Sequence, residues 1–393
     1  MKPIISSSFS SLSLTEDQNQ QREDGRETQS TIHSTFNIQN GEFNHPLIQS
    51  YKQQLKEDGF TILSQFFDNE TVAVLNERLE YILRGHFNTG IRPDKTPRRI
   101  RAHLPPSIIQ NPTDEEKKEV EEEQGEKKSK HNPLNLNNSE NSNYKKKSHH
   151  KRIHHIGPLG FSGNLENVKV MQVINVHKSD SYFRKVVTNP VLGKVITEIT
   201  GWDGVRLAQD QIWAKPPGAP PLVFHRDSPY FMFDPPHVVT VWLALDDMET
   251  ELGPLIYVKQ SHKWGEGRVG TSQDFFQHDG GTDLLYSAAQ RQGVSPEHLE
   301  FVSMAGLKAG GISIHDGRTW HGSSKNESNT KPRRGLGIHF VPSNVKWTNE
   351  ACKSTLWKKY VQGVNEDELD QKDLPEEDFP IVWERNSNSA INT

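Results

Sequence analysis

Hydrophobic and polar positions follow one period in the first half of the chain and another in the second. GFTILSQFF (Gly59 to Phe67) alternates as a strand does, and DNETVAVLNERLEYILRG follows with a helical period. In that second run Asp68 is placed to cap a helix, Val72, Leu75, Leu79 and Ile82 share one face, and Gly85 supplies a stop. A further helix is predicted from Pro190, at a favoured first-turn position, through Leu192, Val195, Ile196 and Ile199 to Gly201. Beyond it the period becomes two. Val205 to Ala214, Val238 to Leu245, Leu255 to Val258, Gly311 to His315 and Gly335 to Val341 read as strands separated by Pro, Gly and Asp turns. No helix of similar strength separates them, which disfavours parallel crossovers. The order predicts a mainly β fold: an antiparallel barrel or jelly roll with a flank of α-helices.

Composition narrows the folded part. Hydrophobic residues make up 32% of 393 residues and mean hydropathy is -0.76, so some of the length cannot be core. Residues 1 to 40 are rich in Ser, Gln, Thr and Asn and read as a disordered tail. From Pro112 to Lys151 a mixed charge run, an Asn-rich run and a basic run follow one another, which reads as a disordered insertion within one large domain spanning 41 to 350. Residues 351 to 393 form a C-terminal extension. The start lacks the apolar core of a signal peptide, and no apolar run reaches the ~18 residues of a membrane span. Cys352 is the only cysteine, which excludes an internal disulfide or a cysteine metal cage and fits a reducing compartment, with the cytoplasm as the default. A net charge of -5 argues against a nucleic-acid partner.

Eighteen histidines direct attention to metal. LVFHRDSPYF contains His225-Arg226-Asp227; if extended, alternation turns His225 and Asp227 to one face and Arg226 to the other. About ninety residues on, ISIHDGRTWHGSSKN supplies His321, and KPRRGLGIHF brings arginines to the head of the next strand. Two histidines and one carboxylate on a barrel face make an open facial site, with positions left for a bidentate co-substrate and dioxygen. His315 lies six residues before His321, ~20 Å along a straight strand, which suits packing or support of the site rather than ligation. His339 reads as a core histidine. Gln209, Gln211, Trp213 and Lys215 alternate onto one face, unusual polarity for a core strand.

These motifs resemble the phytanoyl-CoA dioxygenase family of iron(II)- and 2-oxoglutarate-dependent oxygenases. The likeness runs from Gly59 to Val341 apart from the insertion, and rests on WAKPPG, the H-x-D, VTVWLALDDMETELGPLIYVKQSHKWG and WHGSSKNESNTKPRRG. It implies a double-stranded β-helix core of jelly-roll, cupin-like type. It also implies His225, Asp227 and His321 as catalytic iron ligands, and Arg333 as the fork for the distal carboxylate of 2-oxoglutarate, with Arg334 as the rival one register away. Gln172, Gln211 and Trp242 would line the co-substrate pocket, with Lys215 on the same face; ordinary packing or an outward polar face is the alternative. The resemblance further implies hydroxylation of a small-molecule or acyl substrate, Fe(II), 2-oxoglutarate and O2 as cofactors and co-substrates, ascorbate as an auxiliary reductant, succinate and CO2 as co-products, and a monomer or homodimer without membrane partners. The stretch Gly265 to Ser295 would cover the pocket. A catalytically silent binding module is the competing class; such a module commonly loses a ligand or the arginine, and this chain keeps all four. The triplet HRD also resembles the kinase catalytic loop, but that loop needs Asn five residues after its Asp, where this chain has Met232.

Overall fold

Helix α1 (His45–Asp58) leads through Gly59, whose positive φ of 90° suits glycine, into strand β1 (Phe60–Leu63). Asp68 then opens α2 (Asn69–Leu83), its carboxylate accepting from the Thr71 amide at 2.7 Å, while Val72, Leu75, Leu79 and Ile82 are buried as their spacing predicts. After β2 (Met171–Ile174) come α3 (Ser181–Val187), capped by Asp180, and α4 (Pro190–Thr200), capped by Asn189 and ended by Gly201 at φ 82°. This computed structural model describes residues 45–96, 170–265 and 282–385; the predicted tail and insertion lie outside them.

The strands follow: β3 (Gly204–Lys215), β4 (Leu222–His225), β5 (Phe233–Asp234), β6 (Val239–Ala244), β7 (Leu255–Val258), β8 (Phe301–Ser303), β9 (Ile312–Asp316), β10 (His321–Ser323), β11 (Arg333–Pro342), β12 (Lys346–Trp347) and β13 (Ile381–Glu384). A seven-stranded sheet runs β1-β9-β6-β11-β3-β13 with β2 also paired to β3, and a four-stranded sheet runs β4-β10-β7-β8. Pairing is antiparallel throughout both. The two sheets face each other as a jelly roll: Tyr257 of β7 stacks on Phe60 of β1 with centroids 4.6 Å apart. The expectation of a mainly β jelly roll with helices on its flank is met. Among the described residues no helix is long and apolar enough to cross a membrane.

Two segments differ from the patterns read along the chain. Gly265 to Ser295 contains α5 (Asp283–Arg291), whose Leu285 and Ala288 pack with Phe224, Val258 and Trp320. Phe224 alternates with His225, so α5 covers the side of the small sheet turned away from His225. Residues 266–281 lie outside the described set. At the other end of the chain, Trp357, Val361, Leu369, Leu374 and Phe379 share a buried cluster with Phe231, Phe233 and Trp347, and β13 adds a strand to the large sheet.

Candidate active site

His225 closes β4 and sits in register opposite His321, the first residue of β10, with ring centroids 4.2 Å apart. Asp227 reaches the same point by another route than simple alternation. The strand ends at His225, and Asp227 adopts φ -81° and ψ -42° at the start of a short turn, pinned by its amide to the Gly317 carbonyl at 2.8 Å. Asp227 Oδ1 lies 3.8 Å from His225 Nε2 and 3.6 Å from His321 Nε2. Both rings are oriented through their other nitrogen: Nδ1 of His225 meets the Val223 carbonyl at 2.9 Å, and Nδ1 of His321 meets the Thr319 carbonyl at 2.9 Å. Those bonds put the protons on Nδ1 and aim two lone pairs and one carboxylate oxygen at a common point. One ligand atom from each residue falls within 4.8 Å of the others, a donor set that fits a divalent metal.

Electrostatics favour the ligating forms. Burial, and for His321 the neighbouring His225, push both imidazoles below their usual range and keep them neutral. Burial alone would raise Asp227, but His321, His315 and His339 outweigh it and hold the carboxylate well below its ordinary range.

His315 corrects the straight-strand estimate. Its ring centroid is 4.5 Å from that of His321, not a strand's length away, and its Nε2 lies 3.0 Å from Asp227 Oδ2. The chain turns at Asp316 to Thr319, where the Thr319 amide donates to the Asp316 carbonyl at 2.8 Å, so β9 stays in the large sheet while β10 joins the small one.

A second group of polar side chains is cationic. Arg333 and Lys215 are cross-strand partners on β11 and β3, 1% and 0% exposed. Both donate to Ser323 Oγ, Arg333 at 3.3 Å and Lys215 at 3.1 Å, and Lys215 also donates to the Ser324 carbonyl. Arg333 Nε is buried with no partner, and its guanidinium lies 5.6 Å from the centre of the Trp242 ring. Burial, with Arg333 alongside, lowers Lys215 to about 6, and burial lowers Arg333 to about 10. Arg334 points the other way into a pair with Asp246, with Nε 3.0 Å from Oδ2. Between these residues the floor of β11 is glycine. A Cβ on Gly335 would stand 2.4 Å from the Trp242 ring, whereas one on Gly337 would meet only ordinary contacts. An unpaired guanidinium nitrogen beside a second cation, over a floor without side chains, fits a bound dicarboxylate.

Gln172 and Gln211 are both half-buried and joined, Gln172 Nε2 donating to Gln211 Oε1 at 2.9 Å, and Gln211 continues to His339 at 3.0 Å. His339 is a buried histidine with partners on both ring nitrogens, as a core histidine should be, yet its Nδ1 is 3.7 Å from Asp227. Thr240, which donates to Asp227 at 2.6 Å, and Ser323 had no place in the motif reading. Period two was the available signal: His339 shares the face of Arg333, Gly335 and Gly337, and Thr240 that of Trp242.

Comparisons with known proteins bear on the family and the fold. Among curated proteins, an Arabidopsis thaliana phytanoyl-CoA dioxygenase is 25% identical over 49% of this chain and 65% of its own length. A Caenorhabditis elegans phytanoyl-CoA dioxygenase domain-containing protein 1 homologue is 28% identical over 44% and 60%. The chain thus spans somewhat less than two thirds of the curated relatives it matches. The crystal structure of the epimerase SnoN in complex with Fe3+, alpha ketoglutarate and nogalamycin RO has the same fold, with a TM-score of 0.53 at 14% identity over 86% of this chain and 100% of that one. The family model for phytanoyl-CoA dioxygenase (PhyH) matches residues 55–335, a span that takes in the His225, Asp227 and His321 cluster, and the chain belongs to that family.

Proposed function

We propose that the protein is an iron(II)- and 2-oxoglutarate-dependent dioxygenase that hydroxylates a small-molecule or acyl substrate. The observation that carries this reading is the presence of two complementary groups in one barrel: three neutral or anionic donors converging at His225, Asp227 and His321, and a buried basic pair, Arg333 with Lys215. Membership of the family and the shared fold support it.

Bound iron with 2-oxoglutarate and O2 supplies the oxidising chemistry, releasing succinate and CO2, with ascorbate as an auxiliary reductant. The chain supplies the geometry. His225 and His321 would hold the iron through Nε2 and Asp227 through Oδ1. Arg333 and Lys215 neutralise the far carboxylate of 2-oxoglutarate, Ser323 aligns both cations, and Trp242 walls the guanidinium. Gln211 and Gln172 line the flank. A single cysteine fits work in the reducing cytoplasm.

The test is substrate-dependent succinate formation by the purified full chain on a metabolite extract, with Fe(II) and 2-oxoglutarate supplied. Activity that depends on both, and that disappears in Asp227→Asn, is the expected outcome. Binding of extract components without succinate release would leave a silent binding module.

A further inference from the structure

We propose that His315 and His339 are positioning residues for the metal site: each acts, from an opposite side, on the one oxygen of Asp227 that faces away from the ligand imidazoles. The inference rests on the reading of His225, Asp227 and His321 as metal ligands.

The hydrogens of this region can be traced one by one. Asp227 Oδ2 is 2.6 Å from Thr240 Oγ1 and 3.0 Å from His315 Nε2. A carboxylate only accepts, so the single Thr240 hydrogen is committed to it. His339 Nδ1, 2.9 Å from Thr240 Oγ1, must then be the protonated nitrogen and donate to that oxygen. This leaves His339 Nε2 as a lone pair, which accepts from Gln211 Nε2 at 3.0 Å, and Gln211 Oε1 in turn accepts from Gln172 Nε2 at 2.9 Å. On the other side His315 donates through Nε2, so its Nδ1 accepts from the Tyr257 hydroxyl at 3.0 Å, and the Tyr257 oxygen accepts from Ser313 at 2.8 Å. Every hydrogen in both chains points toward the same oxygen.

The sheet builds this convergence. His339, Thr240 and His315 are neighbours in register on β11, β6 and β9, so three strands place them side by side on the inner face. Two donors on Oδ2 hold the carboxylate plane and leave Oδ1 to the metal as a single-oxygen ligand. A two-oxygen grip would have to give up the hydrogen bond from Thr240 or from His315. The Thr240 chain also ends on Gln211 and Gln172, both half-buried, so it joins the wall of the proposed co-substrate pocket to the metal ligand.

The test uses Co(II) as a spectroscopic probe, titrated into the full chain without 2-oxoglutarate. His225→Ala should abolish the visible bands; if it does not, or if the wild-type chain binds no Co(II), the ligand assignment itself fails, and the positioning proposal with it. Given that control, Thr240→Val and His315→Phe should each weaken Co(II) binding about 10- to 100-fold and alter the band pattern, since partners of metal ligands carry effects of that size. Thr240→Ser, which keeps the hydroxyl, and His315→Gln, which keeps a donor, should restore most of both. Melting curves accompany each variant. If His315→Phe does not fold, the Thr240 pair decides alone. Folded Thr240→Val with unchanged Co(II) affinity and bands, or Thr240→Ser as impaired as Thr240→Val, would overturn the proposal.

Discussion

The metal end and the cation end of the barrel interior are both polar and both buried, yet one is electrostatically complete and the other is not. Around Asp227 the protein supplies acid and donors alike: two hydrogen bonds on one oxygen and two imidazoles facing the other. Around Arg333 it supplies a guanidinium, the Lys215 amine and a shared hydroxyl, and among the described residues no carboxylate lies within ion-pair distance of either basic group. The nearest candidate, Asp246, is taken by Arg334. Burying an uncompensated cation is costly, and a second amine beside it is driven toward its neutral form, as Lys215 is. The difference fits the proposed reading, in which a metal ion would sit beside Asp227 and an anion beside Arg333.

The comparison breaks most completely at the metal end. A His225→Ala, His321→Ala double variant should lose the visible charge-transfer band that anaerobic Fe(II) and 2-oxoglutarate give with the wild-type chain; full retention would place the metal elsewhere. At the cation end, Arg333→Ala should raise the 2-oxoglutarate requirement at least ~30-fold, because a carboxylate left unpaired in a desolvated site costs about 2 to 5 kcal/mol. Arg334→Ala removes a pair with Asp246 and should lower the melting temperature while leaving the 2-oxoglutarate titration close to wild type. The reverse ranking would shift the register by one residue.

Lys215 sharpens the contrast through pH. Burial and the neighbouring Arg333 lower it to about 6, which favours the neutral amine at pH 7.5, and an arriving carboxylate would raise it again. Binding therefore takes up a proton, and 2-oxoglutarate affinity should fall as pH rises from about 6 toward the raised value, by at most about tenfold per pH unit. Calorimetry in two buffers of different ionisation enthalpy measures the uptake, and Lys215→Met should abolish it. The smallest effect is expected from the floor. Gly335→Ala forces the Trp242 indole to move and should weaken 2-oxoglutarate several-fold, at about 1 to 3 kcal/mol of strain, with a change in tryptophan emission. Gly337→Ala has room and should be close to neutral in both assays.

Local signals carried much of this structure. Leu255–Val258 forms the strand its alternation predicts, residue for residue, and both named helices keep their caps. Strand β11 begins at Arg333, two residues before the alternating run from Gly335, which puts both arginines at its head as KPRRGLGIHF predicts. H-x-D and His321 were visible as motifs. The company of Asp227 was not, since Thr240 and His339 become neighbours only because β11 inserts between β6 and β3. His315 was misplaced for a related reason: linear distance says nothing once a four-residue turn moves the chain to the facing sheet.

The pairing of β3 has a kinetic consequence. This one strand is joined by β2 at residues 171–174, by β11 at 333–342 and by β13 at 381–384, while β1 at 60–63 waits for β9 at 312–316. Closing such contacts costs chain entropy before they give any stability in return, so folding is expected to be slow. During synthesis β1 emerges long before β9, and one edge of β3 long before β11; until those partners arrive, both are open to pairing with other chains. The same late strand carries Arg333 and His339, so both enter the site in the step that joins β6 to β3.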